Sequence, residues 1–246
     1  GEASGMDFAL VLILGLVAGT VGGIVGFGTS IILMPALVLV FGPREAVPIM
    51  AIASIMANAS RAAAWWREVD WRVTAAYSTT GIPAAALGAK TLLTLSPGVV
   101  EMALGVFFIG MIPVRRWMAR QHWTLTLWHM AGVGAVIGYI TGIVVSTGPI
   151  NAPFFLAYGL VKGAYLGTEA MGSLAVYGAK ALTFRTFGAL PLEIITKGLI
   201  IGSSLVGGAF IAKRLVIRLD GDRFKLMMDG LLLVSGLTML GAAIRA

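Results

Sequence analysis

A chain of 246 residues that is 58% apolar and only 12% charged has too little polar surface for a soluble fold, where charged residues make up about 25%. Its net charge of +7 does not point to nucleic acid, because the Lys and Arg residues flank apolar runs instead of forming a stripe with aromatic partners. The absence of cysteine excludes disulfides and thiolate metal sites, and His122 and His129 are too few for a histidine-rich metal centre.

The chain starts with Gly1 rather than Met, so 1–5 reads as a processing or tag remnant, and the apolar stretch from Phe8 as mature protein rather than a signal peptide. Apolar segments then follow at 8–41, 46–65, 72–93 and 98–117. As one straight helix, 8–41 would reach about 51 Å against a bilayer core of about 30 Å, so it must tilt, break or turn back. The glycines around Gly22, Gly23, Gly26 and Gly28 place a break there, with Thr29 or Ser30 as the expected N-cap of a new helix. Asp70-Trp71-Arg72 reads as a helix start, and Trp65, Trp66, Trp117, Trp123 and Trp128 as anchors at the membrane interface.

After the basic stretch 115–122 the pattern begins again, with segments at 126–160, 165–184, 190–212 and 223–244. Gly19, Gly23 and Pro35 find counterparts in Gly138, Gly142 and Pro153, the two glycines at a constant offset of 119 residues. The same offset lays Asn58 over Tyr177, Arg61 over Lys180, Gly88 over Gly207 and Glu101 over Asp220. The second long segment has its own break at Ser146-Thr147-Gly148-Pro149, Pro149 being suited to a first helical turn. The expected fold is therefore an all-α integral membrane protein of two repeats, 1–122 and 123–246. Each would hold a broken, re-entrant Gly-rich segment and three transmembrane helices.

With re-entrant segments each half crosses an odd number of times, so the halves are inverted in topology. With both termini outside, that arrangement puts 12 of the 18 Lys and Arg residues on the cytoplasmic side, against a best split of 10 to 8 for full crossings. Inverted repeats with broken helices bind their substrates near the bilayer midplane, where the breaks face one another. Irregular backbone at that depth persists only when buried in protein or facing a cavity.

The candidate substrate-binding residues follow from this geometry. Gly26, Gly28, Thr29 and Ser30 in one break, and Ser146, Thr147, Gly148 and Asn151 in the other, combine helix N-termini with hydroxyl and amide donors, a fit for a small anion. Asn58 with Arg61, and Tyr177 with Lys180, share helix faces at i, i+3. These four either line the substrate path or, for the two cations, snorkel toward headgroups. Gly15, Gly19, Gly134 and Gly138 read as helix-packing positions. Glu169 is read as pairing with Lys197, with a coupling proton on Glu169 as the alternative.

Gly19-x-x-x-Gly23-x-x-Gly26-x-Gly28 with Pro35 behind it resembles the N-terminal signature of the sulfite exporter TauE/SafE family. Val69-Asp70-Trp71-Arg72, then Gly81 and Leu87-Gly88-Ala89, is similar to that family's next block, and the likeness extends over nearly the whole chain. Where family members typically have further glycines, this chain has Thr29 and Ser30. The resemblance implies a carrier of sulfite, organosulfonates or related sulfur oxyanions in the cytoplasmic membrane.

The expected function is thus a secondary transporter or facilitator exporting such an anion, without cofactor or metal, with the lipid bilayer and a small anion as partners and a homodimer compatible with the reading. A monoanion leaving an inside-negative cell gains about 2.3 kcal/mol per 100 mV. The glycine run lacks the Lys of a phosphate-cradling loop, so it offers no ATP drive of its own. An intramembrane enzyme would need a His-Glu-x-x-His motif, a nucleophile–base pair or paired membrane aspartates. The alternatives kept are a membrane-embedded assembly subunit without transport and a carrier of another small organic anion.

Overall fold

The computed structural model describes residues 5–26, 28–118, 120–144, 147–160 and 162–215, with isolated positions between 230 and 244. Ser146, Arg218, Asp220, Arg223 and Lys225 lie outside the described residues, as does most of the span expected at 223–244. The described secondary structure is helical throughout. Helices α1 (Gly5–Val25), α2 (Thr29–Phe41), α3 (Pro43–Ala64), α4 (Trp71–Leu93) and α5 (Pro97–Met118) belong to the first half. Helices α6 (Leu127–Ile143), α7 (Gly148–Tyr158), α8 (Lys162–Thr186) and α9 (Leu192–Leu215) belong to the second.

By length and composition, α1, α3, α5 and α9 each contain a stretch able to cross a membrane. With 23 and 25 residues, α4 and α8 reach about 35 and 38 Å, long enough to span but more polar. For α8 the polarity has a structural reason, since most of its length is covered by other helices, whereas α4 keeps an exposed face with Ile82 and Leu87 on it. The protein is a multi-pass membrane protein.

Both long segments are interrupted where glycine and proline place the break, and both fold back on themselves. The Phe8 ring near the start of α1 lies 5.4 Å from the Phe41 ring at the end of α2. In the second half Trp123, just before α6, stacks on Phe154 of α7 at 5.6 Å, and the Leu125 N–H donates to the Ala157 carbonyl. Each segment is therefore a helical hairpin.

The turns differ from expectation in their capping. The N-cap of α2 is Gly28, in the left-handed conformation at φ 107°, and no side chain caps it among the described residues. Thr29 is instead the first helical residue, and its hydroxyl donates to the Ala18 carbonyl of α1. At α7, Thr147 holds the N-cap position and a proline sits in the first turn, as the sequence suggested, yet the Thr147 hydroxyl is paired with that of Thr141 at 2.5 Å. Asp70 caps α4 directly, accepting from the N–H groups of Arg72 and Val73.

Packing follows an exchange pattern. Helix α1 lies along α9 and α6 along α4, while α3 packs on α9, α8 on α4, and α3 and α8 on each other. The α1–α9 and α4–α6 seams are backbone contacts made by glycine. A Cβ at Gly138 would stand 2.6 Å from the Gly81 oxygen, and one at Gly142 2.5 Å from that of Ala85. Across the other seam, a Cβ at Gly19 would stand 2.7 Å from Leu205 Cα. The α9 glycine with its backbone on α1 is Gly208; Gly207, aligned with Gly88 by the constant offset, meets only the Leu16 side chain. Of the tryptophans read as interface anchors, Trp66, Trp117 and Trp128 are exposed, whereas Trp65 fills the space beside Gly163 and Gly167 of α8.

Candidate functional site

A cavity of about 60 Å³ lies between the two hairpin turns, with walls from both halves. That volume suits a few waters or one small polyatomic ion. The first turn contributes Gly26, Gly28, Thr29 and Ser30; the second contributes Thr147 and Gly148. Helix α3 adds Asn58 and Arg61, and α8 adds Glu169, Ser173 and Tyr177. Nine of the residues expected from sequence thus face one space.

Arg61 organises this wall. Its Nη1 donates to the Gly26 carbonyl just past α1, and its Nη2 donates to Asn58 Oδ1 at 2.7 Å and to Glu169 Oε2. Its Nε is buried with no hydrogen-bond partner among the described residues. The side chain is 10% exposed, so the guanidinium does not snorkel to a headgroup. Asn58 is held in turn by its own Nδ2, which donates to the Ser54 carbonyl one helical turn back.

Glu169 is 3% exposed and fully engaged: Oε2 faces Arg61, while Oε1 accepts from Ser173 at 2.7 Å and from Asn151 Nδ2 at 3.2 Å. Its expected pairing with Lys197 is not found. Lys197 bridges Glu45 and Glu193 at 3.0 and 2.7 Å, in another part of the bundle. Asn151 therefore orients a carboxylate beside the cavity instead of standing among its lining residues.

Lys180 is the other departure. It is wholly buried, and its Nζ donates to the Thr141 and Val144 carbonyls, both at 2.8 Å, at the C-terminal end of α6. It closes a helix end and is not among the described residues lining the cavity. Ser146 lies outside the described residues.

The electrostatic pattern follows from these placements. A helix carries a partial positive charge at its N-terminus and a partial negative charge at its C-terminus. Arg61 and Lys180 cover the carbonyl ends of α1 and α6, whereas the starts of α2 and α7 border the cavity without a side-chain cap. The site therefore combines hydroxyls, two amino-terminal helix ends and a guanidinium with a spare donor, a set suited to an oxyanion. No group of three or more metal-ligating side chains occurs among the described residues.

Sequence reasoning did not find Tyr77, Ser54, Ser173 or Thr141, all of which line the cavity. Lone hydroxyls in apolar helices carry no periodic signal, and only the helix packing reveals which way they face. Glu169 was visible, but its partner lies 108 residues away on another helix.

The model of the family described as Sulfite exporter TauE/SafE matches residues 11–239. No curated protein and no solved structure matches the chain.

Proposed function

The chain belongs to the sulfite exporter TauE/SafE family of membrane transporters, and from that premise we propose that it moves a small sulfur-containing oxyanion, of the sulfite or organosulfonate class, across the cytoplasmic membrane. The observation that carries this reading is the polar cavity between two hairpin turns, with Arg61 in its wall and the uncapped starts of α2 and α7 at its edge. In this reading the anion accepts from the spare Arg61 donor and from Thr29, Ser30 and Thr147, with Asn58 and Tyr177 shaping the wall.

The exchange pattern of helix packing supports two related halves; in this reading they are inverted, with both chain termini on the outer side and alternating access around the cavity. Export is the direction favoured by an inside-negative voltage for an uncoupled anion. The test is flux of radiolabelled sulfite and of 2-hydroxyethanesulfonate in proteoliposomes. The expected result is saturable counterflow for at least one of them. Folded protein that exchanges neither would end the proposal.

A further inference from the structure

The cavity holds a carboxylate as well as a cation, an awkward neighbour for an incoming anion. Arg61 and Glu169 together are neutral, and every strong donor around Glu169 already serves it: Arg61 from α3, Asn151 from α7 and Ser173 from α8 itself. An anion arriving at Arg61 would share that guanidinium with an ionised carboxylate, leaving a net negative charge in a buried space. Like charges so placed repel strongly, because little water screens them.

We propose that Glu169 is a proton-coupling site, taking up one proton as the anion binds, so that anion and proton cross together. The proposal rests on the transport reading above. A proton from water adds to Glu169, the Arg61–Glu169 ion pair opens, and the freed Nη2 turns to the anion. For a monoanion, the site goes from one positive and one negative charge to one positive charge, a neutral carboxylic acid and the bound anion. Net charge in the cavity is the same before and after.

Other groups facing Glu169 do not supply this compensation. Tyr77 of α4 and Tyr165 of α8, whose hydroxyl converges with Arg61 on Gly26, are neutral as phenols. Thr141 of α6 offers a hydroxyl, and Glu68, in the turn packed on α8, lies against Gly163, more than a helical turn away along α8. Lys180 on α8 is engaged with two backbone carbonyls. Arg61 is thus the cation in direct contact with Glu169 among the described residues, and protonation of Glu169 is what frees it.

Coupling changes what drives flux. With the outside more acidic, a monoanion carried with one proton leaves only when its own outward gradient exceeds about tenfold per pH unit. A dianion keeps one net negative charge, so voltage still favours its exit.

The test uses wild-type protein in proteoliposomes with voltage clamped at zero by potassium and valinomycin. The probes are labelled 2-hydroxyethanesulfonate, whose charge is fixed, and sulfite, with protein-free vesicles as blank. A pH gradient of one unit, acidic outside, is expected to concentrate 2-hydroxyethanesulfonate inside to about ten times its outside concentration. Counterflow in the wild type without any such accumulation overturns the coupling and leaves the transport reading standing; absence of counterflow overturns both. Any exchange by Glu169→Gln is expected to show no accumulation with the pH gradient, while Glu193→Gln, on the surface far from the cavity, accumulates as the wild type does. Accumulation by Glu169→Gln equal to that of the wild type also overturns the proposal.

Discussion

Lys180 stands to α6 as Arg61 stands to α1: each lays a buried basic side chain on the carbonyls where the first helix of a hairpin stops. Both satisfy backbone oxygens that have no partner within the helix, and both offset the negative end of its dipole. They differ in what remains afterwards. Arg61 still has a buried Nε–H without a partner and faces the cavity, whereas Lys180 is turned to the α6 carbonyls.

This division of labour separates two substitutions. Lys180→Met keeps the length of the side chain but strips both α6 carbonyls of their donor, costing about 1–3 kcal/mol. The expected outcome is a lower unfolding temperature in detergent. Arg61→Met should in addition weaken sulfite or sulfonate binding by at least about tenfold, or about 1.4 kcal/mol. Calorimetric titration and thermal melts of both variants check this. Loss of anion affinity that is equal in the two would show that Lys180 contributes to binding after all.

The glycine seams give a second expectation. A methyl at Gly138 meets the backbone of α4, which cannot yield as a side chain can, so Gly138→Ala should cost about 1–3 kcal/mol. Gly132 on the same helix has nothing within 4 Å of the same added atom. Gly132→Ala should therefore be neutral, or stabilising by up to about 1 kcal/mol through helix propensity. Thermal melts of the two variants decide the matter.

Much of this architecture was legible in the residues, for identifiable reasons. Breaks at Gly26–Gly28 and at Thr147–Gly148 announce themselves because few other residues permit them in apolar helices. Excess length over the bilayer core left tilting, breaking or turning back open, and the Lys and Arg distribution favoured the turn back that the hairpins make. By contrast, the partnership of Arg61 with Glu169 depends on α3 and α8 lying side by side, and no spacing within either helix encodes that. Lys180 was misplaced for a related reason. The constant offset pairs it with Arg61, and what the two share is closure of a helix end, while Arg61 alone of the two lines the cavity.

Gly28 tests the contribution of helix geometry alone. Its φ of 107° lies where an L side chain is strained, and Gly28→Ala should cost about 1–2 kcal/mol. Because Gly28 fixes where α2 starts beside the cavity, that cost should appear as anion affinity lower by about 5- to 30-fold. Gly42, also at positive φ (78°) but with an extended ψ of 161° and at the far end of α2, is the comparison. Gly42→Ala should lower the unfolding temperature and spare affinity, as titration of both variants would reveal.

Asn58→Asp asks whether Arg61 meets the anion. The two side chains are nearly the same size, and Asn58 Oδ1 already accepts from Arg61 Nη2 at 2.7 Å, so a carboxylate there keeps the hydrogen bond and strengthens it. Folding should weaken by about 1–3 kcal/mol, because Asp cannot replace the Nδ2–H that donates to the Ser54 carbonyl, so thermal melts accompany the titrations. Binding should suffer greatly, because Arg61 would then face two carboxylates and the anion would meet a second like charge in a poorly screened cavity. Affinity for sulfite or sulfonate at neutral pH should fall by more than about tenfold, or more than about 1.4 kcal/mol. Asn58→Ala, which removes the acceptor without adding charge, should lose several-fold less. If Asp and Ala at this position weaken binding equally, charge at Arg61 is not what the anion senses, and the site must be sought at the hairpin turns alone.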